Sequence, residues 1–299
     1  MTDRVWLASY PKSGNTWFRL LVGCLSLKDG ETVDVNETAA KGGIASARLP
    51  FDSTTLIESD LLTFDEIDRL RPRVYEMLAQ SLEEEPEEAG QTPQIEYVKA
   101  HDAYTLTPDG EPLLAGAGGA KAAILIVRDP RDVVASLANH NHSTLDLAIE
   151  QMNDPAGALC AKTDRIHKQL RQIMLSWSGY TASWLDQTDI PVHLVRYEDM
   201  KRDTAGTFAA AMAFAGQPIS PDEAARAARL ADFSKLQEQE RERGFGEKPP
   251  KVEAFFRKGQ TGGWREELSS DQVSRVETCH ADMMARLGYE ASLPLRQAG

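Results

Sequence analysis

The stretch VWLASYPKSGNTWFRLLVGCL, residues 5–25, carries an apolar run that breaks at Pro-Lys-Ser-Gly and turns directly into an amphipathic pattern. Residues 5–9 have the composition of a short buried strand, and Trp17, Leu20, Leu21, Cys24 and Leu25 recur at helical spacing on one face. A strand that feeds a helix through such a break presents unpaired backbone N–H groups to one point, where the helix dipole adds partial positive charge. Lys12 adds a full charge, Ser13, Asn15 and Thr16 bring further donors, and Gly14 lets the backbone curl closely round a ligand. The stretch therefore reads as a cradle for an anion, a phosphate or a sulfate ester. The plainer alternative is a turn at Gly14 with Lys12 in solvent.

Three further apolar runs follow: IEYVKA (95–100), AAILIVR (122–128) and PVHLVRY (191–197). They are short and rich in Val and Ile, as buried parallel strands are. After the second of these, Val133, Val134, Leu137 and Ala138 repeat the helical spacing; after the third, the Ala-rich stretch 204–216 stops at Gly216. Strand–helix alternation of this kind predicts an α/β fold of three layers, α/β/α, with a central parallel sheet and ligands outside its carboxyl ends. Residues 28–94 interrupt the alternation and read as a helical insertion in a single domain spanning 1–299. Within it, Thr63 and Glu66 form a capping box, and Ile67, Leu70, Val74, Met77, Leu78 and Leu82 predict one or two helices broken around Pro72. EEEPEE (83–88) reads as a solvated helix end and GAGGA (116–120) as a flexible connection. A last helix, 271–287, opens on the Ser269/Gln272 capping box and closes at Gly288.

The net charge of −13 argues against a nucleic-acid or anionic-membrane partner, so an anionic ligand needs a local concentration of Lys and Arg. Cys24, Cys160 and Cys279 have no paired spacing, which suits a reduced compartment. No apolar run approaches the ~18–20 residues of a membrane span, and the first strand begins too early for a leader. The chain reads as a cytoplasmic protein.

The nucleotide P-loop, G-x-x-x-x-G-K-[ST], is absent, since Gly-Lys occurs nowhere in the chain. Instead YPKSGNTW (10–17) resembles the 5′-phosphosulfate-binding motif of the cytosolic sulfotransferase family, with Asn15 where that motif has a second Thr. VRDPRDVVAS (127–136) resembles the family's 3′-phosphate segment and FRKGQTGGW (256–264) its cofactor loop, RKGxxGDW. VKAHDAY (98–104) and VRYEDM (195–200) agree in order. The resemblance implies the P-loop-like sulfotransferase fold and transfer of a sulfuryl group from 3′-phosphoadenosine 5′-phosphosulfate to a hydroxyl or amine of a small-molecule acceptor. It leaves adenosine 3′,5′-bisphosphate as product and requires no metal.

By the same resemblance Lys12 stabilises the leaving group and residues 13–16 hold the 5′-phosphate. Arg128 and Ser136, with Arg257, Lys258 and Gly259 from a C-terminal loop at 236–265, take the 3′-phosphate. His101 is the general base and Lys99 assists the transferring group, while Trp17, Tyr197 and Phe233 contact the adenine. Read from the residues alone, Trp17 also fits the apolar face of its helix, and Arg131 fits an ion pair with Asp129 or Asp132. His140 and His142 line the acceptor pocket or form half of a zinc site. Gly263 stands where the family has an acidic residue, and no K-x-x-x-T-V-x-x-x-E dimerisation stretch is present. The competing functions are an ATP-dependent small-molecule kinase and a nucleotide-binding module without catalysis.

Overall fold

The computed structural model describes residues 4–28, 30–36, 43–84 and 95–292. Its strands in chain order are β1 (Arg4–Ser9), β2 (Glu96–Ala100), β3 (Ala122–Val127), β4 (Ala158–Leu159), β5 (Gln172–Ile173) and β6 (Val192–Arg196). Four of them make a parallel sheet in the order β2-β1-β3-β6, and β4 pairs with β5 antiparallel. Leu7 lies opposite both Lys99 and Ile124, so β1 and its following loop occupy the middle of the sheet.

Alternate strand residues feed two cores, as the two-residue side-chain period requires. Trp6, Ala8, Val98, Leu125 and Val127 pack with Val133, Leu137, Trp177 and Trp184 on one face. Val5, Leu7, Tyr97, Ile124 and Ile126 pack on the other with Phe18 and Leu21 of α1 (Asn15–Cys24) and with Phe208 and Met212 of the helix Thr204–Phe214. Each fully buried aliphatic or Phe side chain here contributes about 1.5–3 kcal/mol. The sheet is thus covered on both faces, as the alternation of runs predicts.

The segment 28–94, read from sequence as an insertion, contains among its described residues α2 (Arg48–Thr55) and α3 (Phe64–Glu84). The capping box forms as expected: the Thr63 N–H donates to Glu66 Oε2 at 2.8 Å, and the Glu66 N–H donates to Thr63 Oγ1 at 3.3 Å. Pro72 does not break the pattern; α3 runs through it as one helix. A proline in a helix interior costs about 3 kcal/mol or more, and buried contacts on both sides offset this: Ile67 and Val74 share a core cluster with Phe51, while Arg71 is fully enclosed. GAGGA forms a single helical turn, Gly116–Gly119, rather than a flexible connection. Most of EEEPEE, from residue 85 on, lies outside the described residues. The C-terminal helix Ser270–Arg286 carries its Ser269/Gln272 box, and Gly288 follows in the left-handed conformation at φ 74°. Among the described residues no helix is long and apolar enough to cross a membrane.

Candidate active site

All four parallel strands end at the same edge, and each hands the chain to a residue singled out above. β1 runs into the 10–17 loop, β2 into His101, β3 into Arg128 and β6 into Tyr197. A single cavity at that edge is lined by Lys12, Gly14, Asn15, Thr16, Trp17, Lys99, His101, Arg128, Ser136, Tyr197, Phe233, Arg257, Lys258 and Gly259. Of the residues expected to bind the donor or act on it, only Ser13 is absent from that wall; it is fully buried, and its hydroxyl has no partner among the described residues. Segments more than 200 residues apart in sequence therefore meet at one hollow.

The β1–α1 loop is drawn tight. Lys12 has φ 70° and Gly14 φ 108°, both in the left-handed region. A side chain at Gly14 would bring its Cβ within 2.7 Å of the Tyr197 ring, so the close approach needs glycine. Asn15 behaves differently from the sequence expectation. Its amide donates to Leu7 O at 2.8 Å and to Ser9 Oγ at 3.2 Å, so the side chain ties the helix start to the strand it left. Its backbone remains at the cavity wall.

Charge is concentrated here in an otherwise acidic molecule. Burial, then Lys99 and Arg128, lower the Lys12 ammonium to about 7, and it rests 3.7 Å from the centre of the Phe255 ring. Lys99 is likewise lowered by burial, opposed by Glu247, whose Oε2 lies 3.8 Å away. Arg128 stacks 4.5 Å over Tyr197 and donates to the carbonyls of Lys12 (3.3 Å) and Gln260 (2.9 Å), joining the first loop to the last; its Nε has no partner among the described residues.

His101 Nδ1 lies 2.7 Å from the Ser9 carbonyl oxygen. A carbonyl only accepts, so Nδ1 carries the hydrogen and Nε2 keeps its lone pair. Burial, and then Lys99, hold the imidazole well below its usual range, so it stays neutral. His140 also lines the cavity; burial, Lys12 and Lys99 lower it to about 4, and its ring meets Phe255 edge-on. His142 instead caps its helix in the left-handed conformation.

The aromatic residues form a second wall. Trp17 is both core and cavity: its ring meets Tyr197 edge-on at 5.7 Å, while its indole N–H donates to Ala231 O at 2.9 Å. Phe233 closes on Gly259, where an added Cβ would come within 2.4 Å of the ring. Arg131 makes the structural pair with Asp129 at 2.7 Å, whereas Asp132 accepts the N–H groups of Gly262 (2.7 Å) and Trp264 (2.9 Å) and fastens the C-terminal loop.

Several residues that matter here carry no local sequence signal. The Glu240 carboxylate accepts the N–H groups of Phe255 and Phe256, Gln237 donates to the carbonyls of Phe256 and Arg257, and Glu247 bridges Arg19 and Lys99. All three lie in the 236–265 region, and each acts through partners that only the fold brings near.

The family model for the sulfotransferase domain matches residues 2–288. The flavonol 3-sulfotransferase of Flaveria bidentis is 23% identical over 288 residues, 91% of this chain and 79% of that protein. Cytosolic sulfotransferase 17 of Arabidopsis thaliana is 22% identical over 299 residues, 96% and 76% of the two chains. Among solved structures, retinol dehydratase in complex with androsterone and the inactive cofactor PAP superposes with a TM-score of 0.58 at 19% identity, covering 99% of this chain and 83% of that one. Mouse sulfotransferase SULT7A1 complexed with PAP gives 0.55 at 19% identity, covering 94% and 84%. At these identities the structural likeness establishes the fold.

Proposed function

The chain belongs to the sulfotransferase domain family, and on that premise we propose that it transfers the sulfuryl group of 3′-phosphoadenosine 5′-phosphosulfate to a hydroxyl of a small-molecule acceptor in the cytoplasm. The observation that carries this reading is the convergence of Lys12, Arg128 and Arg257 on one cavity that also holds a neutral His101. Two features fit a phosphorylated nucleotide: Ser13 Oγ and Arg128 Nε are buried polar atoms with no partner among the described residues, and Gly14 and Gly259 let the Tyr197 and Phe233 rings lie directly against the two loops at the cavity. When bound, the nucleotide supplies an activated sulfuryl group on its 5′-phosphate.

The chain's own residues do the rest. Backbone N–H groups at the start of α1, with Ser13 and Thr16, hold the 5′-phosphate; Arg128, Ser136, Arg257, Lys258 and the Gly259 backbone hold the 3′-phosphate; Trp17, Tyr197 and Phe233 enclose the base. His101 Nε2 takes the proton of the acceptor hydroxyl, and Lys12, helped by Lys99, places positive charge where negative charge grows on the departing oxygen. No residue in this scheme needs a metal. A screen of hydroxyl and amine acceptors with labelled phosphosulfate donor, read by mass shift, tests the reading. Phosphate transfer from ATP in place of sulfuryl transfer would overturn it.

Lys12 makes the affinity depend on pH. Its ammonium, held at about 7, must be charged to face an anion, and a bound anion raises it again, so binding takes up a proton. Affinity for adenosine 3′,5′-bisphosphate therefore falls as pH climbs above about 7, towards roughly tenfold per pH unit. Calorimetry at pH ~8 in two buffers of different ionisation enthalpy should show proton uptake in the wild type and its loss in Lys12→Met.

A further inference from the structure

Both cations of the 257–259 segment are engaged by one carboxylate. Arg257 donates from Nη1 to Glu267 Oε2 at 2.7 Å and from Nη2 to Oε1 at 3.1 Å, and Lys258 Nζ lies 2.9 Å from the same Oε1. Burial opposes ionisation of Glu267, yet these two partners hold it below its usual range, so it is a carboxylate at neutral pH. It sits on a fixed mount. The turn Trp264–Glu267 is tied to Asp132 through the Gly262 and Trp264 N–H groups, and the Arg131 guanidinium covers the buried Trp264 ring at 4.1 Å.

Such a carboxylate could be a strut for the loop. The loop backbone, however, is already held without it. Glu240 takes the N–H groups of Phe255 (2.6 Å) and Phe256 (2.8 Å), Gln237 donates to the carbonyls of Phe256 (2.8 Å) and Arg257 (2.7 Å), and Arg128 donates to Gln260 O (2.9 Å). These contacts clamp the chain on both sides of Arg257 and Lys258. Among the described residues, the partners of the Glu267 carboxylate are these two charged side chains. A dianionic phosphate arriving there meets a fixed negative charge at contact distance and has to draw the donors away from it.

We propose that Glu267 is an internal rival of the nucleotide 3′-phosphate, holding Arg257 and Lys258 between turnovers, yielding them on binding and reclaiming them as the bisphosphate product leaves. The inference rests on the sulfotransferase reading, in which those two cations take the 3′-phosphate. It makes Glu267 a determinant of nucleotide selectivity and of product release, and it confines the effect to ligands that carry a 3′-phosphate.

The test is to titrate wild type, Glu267→Gln and Glu267→Ala with adenosine 3′,5′-bisphosphate and with adenosine 5′-monophosphate, and to time bisphosphate release by displacement. Both variants should bind the bisphosphate roughly tenfold tighter and release it more slowly, with 5′-monophosphate affinity held within about twofold. Unchanged 5′-monophosphate binding also reports an intact pocket. Bisphosphate binding that is unchanged or weaker in both variants overturns the proposal and makes Glu267 a strut; loss of both nucleotides does the same by making it part of the fold. A wild type that fails to prefer the bisphosphate over the 5′-monophosphate overturns the 3′-phosphate reading itself, and the rivalry with it.

Discussion

His101→Ala is expected to lower turnover by about 10²–10⁴-fold, the usual share of a general base, while leaving affinity for adenosine 3′,5′-bisphosphate unchanged. The separation follows from geometry. His101 follows β2 and is fixed by its own Nδ1 to the Ser9 carbonyl at 2.7 Å, whereas the proposed phosphate ligands come from the 10–17 loop, Arg128 and the 257–259 segment. Burial keeps the imidazole neutral, so as the proposed base it is available from mildly acidic pH upward, and the acid limb of the rate profile is expected to fall below the ordinary histidine range. Single-turnover sulfuryl transfer, with acceptor and donor saturating, separates the chemical step from binding. Wild-type turnover in His101→Ala would remove the histidine from the mechanism.

Arg71→Met should destabilise the fold by about 3–5 kcal/mol, because it strands a buried carboxylate. Arg71 and Asp102 are both fully buried and paired at 2.7 Å and 3.1 Å through two donors, with a further Arg71 contact to Arg171 O at 3.0 Å. Asp102 also accepts the Ile173 N–H at 3.0 Å, and its own carbonyl accepts from Trp184 Nε1 at 3.1 Å. Helix α3 thus braces the residue directly after His101. Chemical denaturation of Arg71→Met, Asp102→Asn and the double variant checks this: the double variant should lose less than the sum of the singles, since removing both charges leaves none unpaired. Additive losses would mean that the pair contributes nothing as a pair.

Much of the site was legible because its signals are local. A buried strand, a tight turn and a helix start are each written in consecutive residues, which is why the 10–17 loop, His101 and Arg128 could be placed at strand ends; the 257–259 segment was named by its resemblance to a family motif, and residues from all four reach one cavity. Four strands were visible for the same reason, as continuous apolar runs. The rest depends on contacts between segments. Nothing in the neighbourhood of Glu240, Glu247 or Glu267 reveals that each carboxylate closes on a distant N–H or cation, since a charged residue in a loop or at a helix end is ordinarily solvated. Asn15 has the right type for a ligand donor, and only the path of β1 shows that Leu7 O claims its amide first. Pro72 reads as a helix break until Arg71 and Val74 are seen buried on either side. Asp132 could have paired with Arg131; the C-terminal loop's N–H groups take it instead.

The central claim, that cations from three remote segments serve one doubly phosphorylated adenosine, is tested most directly by a crystal structure of the protein with adenosine 3′,5′-bisphosphate. The account predicts the 5′-phosphate within hydrogen-bond reach of the 12–16 loop and the 3′-phosphate on Arg128, Ser136 and Arg257, with His101 Nε2 facing the 5′ side. A nucleotide bound elsewhere, or one whose 3′-phosphate points into solvent away from Arg257, would contradict it.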